Sequence, residues 1–412
     1  MLLNMDARGS RQFVLLCLSY FMFSCSFNMP IPELPAYLSS LGGEQYIGLI
    51  ISLFTLMAGL SRPFSGKLAD RIGRIPVMIF GSLVCVVCSL LYPVLTSVSG
   101  FLLLRFFHGF STGFKPTGAN AYVADIAPLE RRGQALGALG LFNTMGLSLG
   151  PALGSYASDR YGMKAMFMVS SAMSLVSVLI LSAMKETLTD KESFRFSSLR
   201  LKRDEIFEPR ALSPALITFL LYAGYGAALT IVPELSDRVG LSNRGLFFSF
   251  FTLSSVGIRV VAGKLPDRIG RIRMLKMASV IMLAAMLMIA WSASPVWLLL
   301  SGLVYGLSMG MTSPSTAAWT VDSAHPDKRG RALATMFIAM EAGIGLGALG
   351  SGWWYVRSGH DGISTFMAMA LLSLLALMYL QWMFPWLQSR EAQILSVQPA
   401  AQGDTPDTGT GS

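Results

Sequence analysis

Polar positions interrupt this chain at long, regular intervals. The stretches between them are apolar for about 20 residues, the length at which a helix crosses a hydrocarbon core roughly 30 Å thick. Twelve occur, at 13–37, 46–65, 76–96, 100–124, 134–156, 165–184, 213–236, 245–262, 274–294, 296–320, 331–355 and 363–386. They are rich in Gly, Phe and Met and do not alternate in polarity. A membrane segment must satisfy its own backbone, so this pattern predicts helices rather than a barrel. The expected fold is an all-α membrane protein with twelve transmembrane helices.

The polar intervals contain a repeat. GKLADRIGRI at 66–75 returns as GKLPDRIGRI at 263–272, 197 residues later. At the same offset Arg62 matches Arg259, Asp125 matches Asp322, Arg132–Gly133 matches Arg329–Gly330, and Gly146 and Gly150 match Gly343 and Gly347. One constant shift over so long a stretch indicates two homologous halves. The predicted division is an N-terminal six-helix half at 1–184, a linker at 185–212, a second six-helix half at 213–386, and a tail at 387–412. The linker carries seven basic and six acidic residues, enough to stay solvated. The tail is polar and rich in Gly, Pro and Thr, a composition expected to be disordered.

Composition sharpens the class. The 412 residues are 53% hydrophobic and 13% charged, far from a soluble average. The formal net charge is +9, and 25 of the 32 Lys and Arg residues fall on the side that holds both termini. That asymmetry predicts cytoplasmic termini. It is a topology signal, and no basic, aromatic-laced soluble domain supports nucleic-acid binding. The first span ends in Asn28, Pro30, Pro32 and Glu33 without a small-residue cleavage site, unlike a signal peptide. Cys17, Cys25, Cys85 and Cys88 all lie in spans, so no disulfide is expected.

The segment from Arg62 to Arg74, RPFSGKLADRIGR, resembles the signature loop of the major facilitator superfamily, and 259–271 repeats most of it. Gly66 and Gly73 suit close approach and a tight turn. Asp70 and Arg74 are spaced to pair. The resemblance implies a conformational-switch cluster of Asp70, Arg71, Arg74 and Asp125, with Asp267, Arg271 and Asp322 as its second copy, holding the outward-open state. In span 5, Gly137, Gly146, Gly150, Pro151 and Gly154 resemble the antiporter motif of twelve-helix drug–proton exporters. Ser155 stands where that motif has its last glycine. Arg105 in span 4 resembles the superfamily's helix-4 arginine, linked with proton transfer. His108 replaces the usual glutamine there and is read as a packing residue.

Charges inside a membrane are costly, so each implies a cavity or a partner. Glu33, Arg105, Lys115, Glu234 and Glu341 are the candidates for a substrate and proton pathway. Pro32–Glu33–Leu34 has a counterpart in Pro233–Glu234–Leu235, so these acids also suit structural or gating roles. Arg105, Lys115 and Glu341 face Gly302, Thr312 and Thr144 in the other copy and break the symmetry. Glu33 and Arg105 each lie roughly 10 Å outward of the midplane of their spans. The superfamily's cavity is lined by helices 1, 4, 7 and 10, so a Glu33–Arg105 pair is expected. Basic residues on one side of such a cavity suit an anionic or zwitterionic substrate.

The function implied is a secondary active transporter in a bacterial inner membrane, exporting a small organic compound or drug by proton antiport and alternating access. Export or import of one specific metabolite or metallophore is the alternative within transport. A transporter-derived sensor is another, although the tail is too short for a signalling module. No enzymatic constellation, metal site or phosphate-binding loop is evident. The expectation is therefore no cofactor, a proton as coupling ion, and a monomer whose partners are the substrate and the lipid bilayer.

Overall fold

The helices begin and end where the sequence places its glycines and short polar caps. The computed structural model describes residues 7–128, 131–189, 192, 208–262, 269–325 and 329–385. Among them lie twelve long helices and no strand: α1 (Ala7–Asn28), α2 (Ile47–Ile72), α3 (Arg74–Leu91), α4 (Val98–Ile126), α5 (Arg132–Tyr161), α6 (Met163–Ser182), α7 (Leu212–Arg238), α8 (Leu246–Ala262), α9 (Arg271–Ala290), α10 (Pro295–Ser323), α11 (Arg329–Arg357) and α12 (Gly362–Met378). Ten helical segments are long and apolar enough to cross a membrane. The set is completed by α4, which carries Arg105, His108 and Lys115, and by α8, with 17 described residues.

The repeat is visible in this punctuation. Ser97 accepts a hydrogen bond from the Gly100 amide at the start of α4, and Ser294, 197 positions later, accepts from Trp297 at the start of α10. Such caps satisfy amides that the first turn leaves unpaired. Gly73 and Gly270 precede α3 and α9 at φ +123° and +91°, a region that side chains resist.

Two expectations about span limits change. Residues 62–74 are not a loop: α2 continues through them to Ile72, and the chain reverses at Gly73 alone. Lys67, Leu68 and Ala69 favour helix, so the turn contracts to the residue that tolerates positive φ. The first span is broken near Pro30. A 3₁₀ turn at Ile31–Glu33 and a short helix at Leu34–Ser40 follow. Pro30, Pro32 and Pro35 lack the amides a continuous helix needs.

Helices α1–α6 pack on one another, as do α7–α12, and the two groups meet along α2 against α11 and α5 against α8. Apolar side chains such as Leu83, Val87, Leu371 and Leu375 remain exposed outside the bundle, as lipid contact requires. A residue shortly after the end of α6 also shapes the signature segment. Glu186 accepts the amides of Arg74 and Ile75 through its two oxygens, each at 3.0 Å, and so closes the first turn of α3. Further on, the Glu192 amide donates to the Arg71 carbonyl at 2.8 Å. Most of the predicted linker, Asp267 and the tail lie outside the described residues.

Candidate functional site

Between the two groups of helices is a cavity of about 990 Å³. Its mouth is at the end of the bundle where α2 turns into α3, ringed by Lys67, Asp70, Gly330 and Arg331. Its deep part is aromatic and amide-bearing, with Phe23, Phe27, Phe54, Asn28, Asn143 and Tyr225. The lining comes from α1, α2, α4, α5, α7 and α11. Among the described residues none from α10 takes part, contrary to the expected set. Helices α2 and α11 take that place because they meet near the far end and leave their mouth-end turns facing the cavity.

The far end is sealed by contacts between the groups. Glu33, in the 3₁₀ turn, accepts from Arg244 Nη1 at 2.5 Å and from Ser155 Oγ at 2.7 Å, and its side chain is only 2% exposed. Arg244 sits in the loop before α8 and also pairs with Asp237 at 2.8 Å. Burial opposes its charge, but Asp237 and Glu33 more than offset this and hold the guanidinium protonated above its ordinary range. The Gly245 amide donates to Ser155 Oγ at 3.2 Å. Asn243 Nδ2 donates to the Ala152 carbonyl at 3.1 Å, and Ser249 Oγ to that of Ser148 at 2.7 Å. A second bridge runs through His360, whose Nε2 lies 3.2 Å from Glu44 and whose Nδ1 lies 3.0 Å from Glu234.

These contacts correct several expected positions. Glu33 and Arg105 do not pair, because the break at Pro30 carries Glu33 away to α5 and the α7–α8 loop. Glu234 belongs to the sealed end, 3.0 Å from Arg238, and does not line the cavity. Lys115 is fully buried behind α4, also away from the cavity. Its Nζ donates to the hydroxyls of Ser19, Ser177 and Ser82 at 2.7, 2.8 and 3.2 Å. Three helices supply these hydroxyls, one each from α1, α6 and α3, so the lysine organises the interior of its own half.

Two of the five residues expected in the substrate and proton pathway do face the cavity. Glu341 of α11 accepts from Arg62 Nη2 of α2 at 2.5 Å, an ion pair joining the two halves. Phe337 supports it, its ring centroid lying 5.3 Å from the Arg62 guanidinium carbon. Arg105, 1% exposed, donates from Nε to the Ile50 carbonyl at 3.0 Å. Its Nη1 lies 3.4 Å from both Tyr92 Oη and His108 Nδ1. The guanidinium carbon sits 4.5 Å from the ring centre of Phe54. His108, also fully buried, bonds Tyr92 Oη through Nδ1 at 3.1 Å, and its packing position agrees with the sequence reading.

At the mouth, Arg74 lies 3.0 Å from Asp70 and 3.0 Å from Asp125, and Arg271 lies 3.3 Å from Asp322. Each of these pairs stays within one half while the cavity is open at this end. Arg71 meets Glu192 at 3.4 Å, and Gly66 is part of the cavity wall. On α5, Gly146, Gly150 and Gly154 abut α1: a Cβ on Gly150 would press on the Cys25 carbonyl oxygen, and one on Gly154 on that of Met29. Gly137 faces open space and is not part of this face. Pro151 packs instead against Gly245 across the halves.

Sequence reasoning missed Arg62, Ser155 and Arg244. Arg62 was a repeat marker and nothing more. Ser155 was visible as a departure from the antiporter pattern, and it bonds Glu33 directly. Arg244 is one of few basic residues in the loops at the basic-poor end, and that rarity was the signal that could have found it.

A sequence model of the Major Facilitator Superfamily matches residues 16–348, with a second match at 215–403. The multi-drug resistance efflux pump PmrA of Streptococcus pneumoniae serotype 4 is 28% identical over 310 residues, covering 72% of this chain and 77% of that protein. The multidrug resistance protein MdtG of Citrobacter koseri is 27% identical over 328 residues, covering 76% and 80%. Among solved structures, the human organic anion transporter MFSD10 (TETRAN) superposes with a TM-score of 0.70 at 21% identity, covering 91% of this chain and 100% of that one. A nucleoside transporter NupG variant gives 0.74 at 16% identity, covering 90% and 100%.

Proposed function

The chain belongs to the major facilitator superfamily, and on that footing we propose that it exports small organic compounds by proton antiport and alternating access. It sits in a bacterial inner membrane with both termini in the cytoplasm, acts as a monomer and needs no cofactor beyond the coupling proton. The carrying observation is the cavity between the halves, open at the basic end and closed at the other by inter-half contacts. With the basic end cytoplasmic, this is the state that admits a substrate from inside the cell. Opening the far seal while closing the mouth would deliver it outside. A relative named as a multi-drug resistance efflux pump supports the direction. So do the adaptable aromatic walls, which suit varied amphipathic compounds.

Glu341 is the carboxylate assigned to the proton. It lines the cavity, is nearly buried and holds Arg62 across the halves, so its protonation would release a cross-half contact. Reconstitution into liposomes tests the proposal, with a panel of labelled amphipathic compounds and an acid lumen. Uptake into vesicles through inside-out molecules, abolished by collapsing the pH gradient, is expected. Folded protein that moves compounds with no response to the gradient would overturn proton antiport.

A further inference from the structure

Arg105 is a buried cation with no carboxylate near it. Among the described residues none lies within ion-pair distance, and the groups it meets are a carbonyl, a phenol, an imidazole and an aromatic face. Its Nη2 is buried with no hydrogen-bond partner among the described residues. An uncompensated charge and an unused donor are both expensive in a membrane interior. A guanidinium N–H pairs well with the oxygens of a carboxylate, sulfonate or phosphonate. Phe54 covers one face, and Nε and Nη1 already meet protein groups, so Nη2 is the donor left for a ligand.

The rest of the cavity points the same way. Its lining acids are both engaged by arginines and lie toward the mouth: Glu341 with Arg62, and Asp70 with Arg74. A lipophilic cation would find no carboxylate in the aromatic depth. An aromatic anion would find Phe23, Phe27 and Phe54 for its ring and Arg105 for its charge. The other half has Gly302 at the matching position, so the chain carries one such site.

We propose that the deep cavity is an anion subsite built on Arg105, and that this protein's substrates are aromatic organic acids. This rests on the transport reading above and narrows its substrate class. An anionic lipid headgroup shares the chemistry, but the aromatic pocket around the guanidinium favours a soluble aromatic acid.

The test is binding to purified full-length protein in phosphatidylcholine nanodiscs, with 2-naphthoate and its uncharged amide as probes. Naphthoate is expected to bind about 10- to 100-fold tighter, as one charge-assisted contact implies. Arg105→Gln should erase that preference, and Arg105→Lys should restore part of it, at unchanged thermal stability. The wild-type ratio stands even where a variant does not fold. Equal affinities for acid and amide overturn the inference, as does loss of naphthoate binding when phosphatidylglycerol replaces phosphatidylcholine, which assigns the site to lipid. Gradient-driven export of neutral or cationic compounds with no preference for acids also overturns it, while leaving the transport reading intact.

Discussion

Replacing Glu33 by Gln, or Arg244 by Met, should open the sealed end. The Glu33 side chain is 2% exposed and receives Arg244 at 2.5 Å and Ser155 at 2.7 Å. Gln keeps the size and still accepts from Ser155, and Arg244 keeps Asp237, so one charge-assisted bond is lost, about 2–3 kcal/mol. Arg244→Met strands the carboxylate in a buried site, at about 3–5 kcal/mol. Both costs fall on the closed form, because opening returns these groups to water. The closed-to-open ratio should therefore drop about 30- to 150-fold for Glu33→Gln and by more for Arg244→Met. A protein resting at about 99:1 would fall to between about 3:1 and slight inversion for Glu33→Gln, and would invert for Arg244→Met. Spin labels at Gln45 and Arg357, exposed at the sealed end on opposite halves, report the distance between the halves. The four native cysteines are buried and should not compete for label. Both variants should shift the distribution to longer distances. Distributions that match the wild type in both would refute the assignment of Glu33–Arg244 as the seal.

Gly154→Ala should slow transport about tenfold or more, because its Cβ meets the Met29 carbonyl where α5 lies on α1, whereas Gly137→Ala faces open space and should be silent. Transport rates of the two variants side by side check this, and equal behaviour would remove the packing explanation. Glu341→Gln should retain substrate counterflow but lose its response to an imposed pH gradient, since the group assigned to the proton is gone. An unchanged gradient response would move the coupling proton elsewhere.

The spans, the duplication and the charge clusters were legible in the sequence because few physical rules decide them. A bilayer demands long apolar helices, and a constant offset carries Arg74–Asp125 onto Arg271–Asp322. Inter-half contacts were harder to read, since they depend on where a helix bends. Glu33 was placed on a continuous first helix and assigned to Arg105; the break at Pro30 sends it to Arg244 instead. Lys115 was taken for a cavity residue from its depth and its lack of a charged repeat partner. Its real neighbours are three serines on three helices, which no single-span pattern reveals. Glu341 was found by its lack of a repeat partner, and the residue that completes it, Arg62, was hidden by having one.

The cap on α3 bears on how the duplication was made whole. The two decapeptides are nearly identical, yet Glu186 holds only the first, and the position 197 residues after it is Met383. One signature turn is thus moored to the start of the segment that leads to the other half, and the matching position in the second copy carries no carboxylate. Separate expression of the halves must accordingly divide the chain after Glu192, so that the first fragment keeps both the carboxylate on α3 and the amide on Arg71. A fragment cut at the end of α6 would carry the full signature sequence without its anchor.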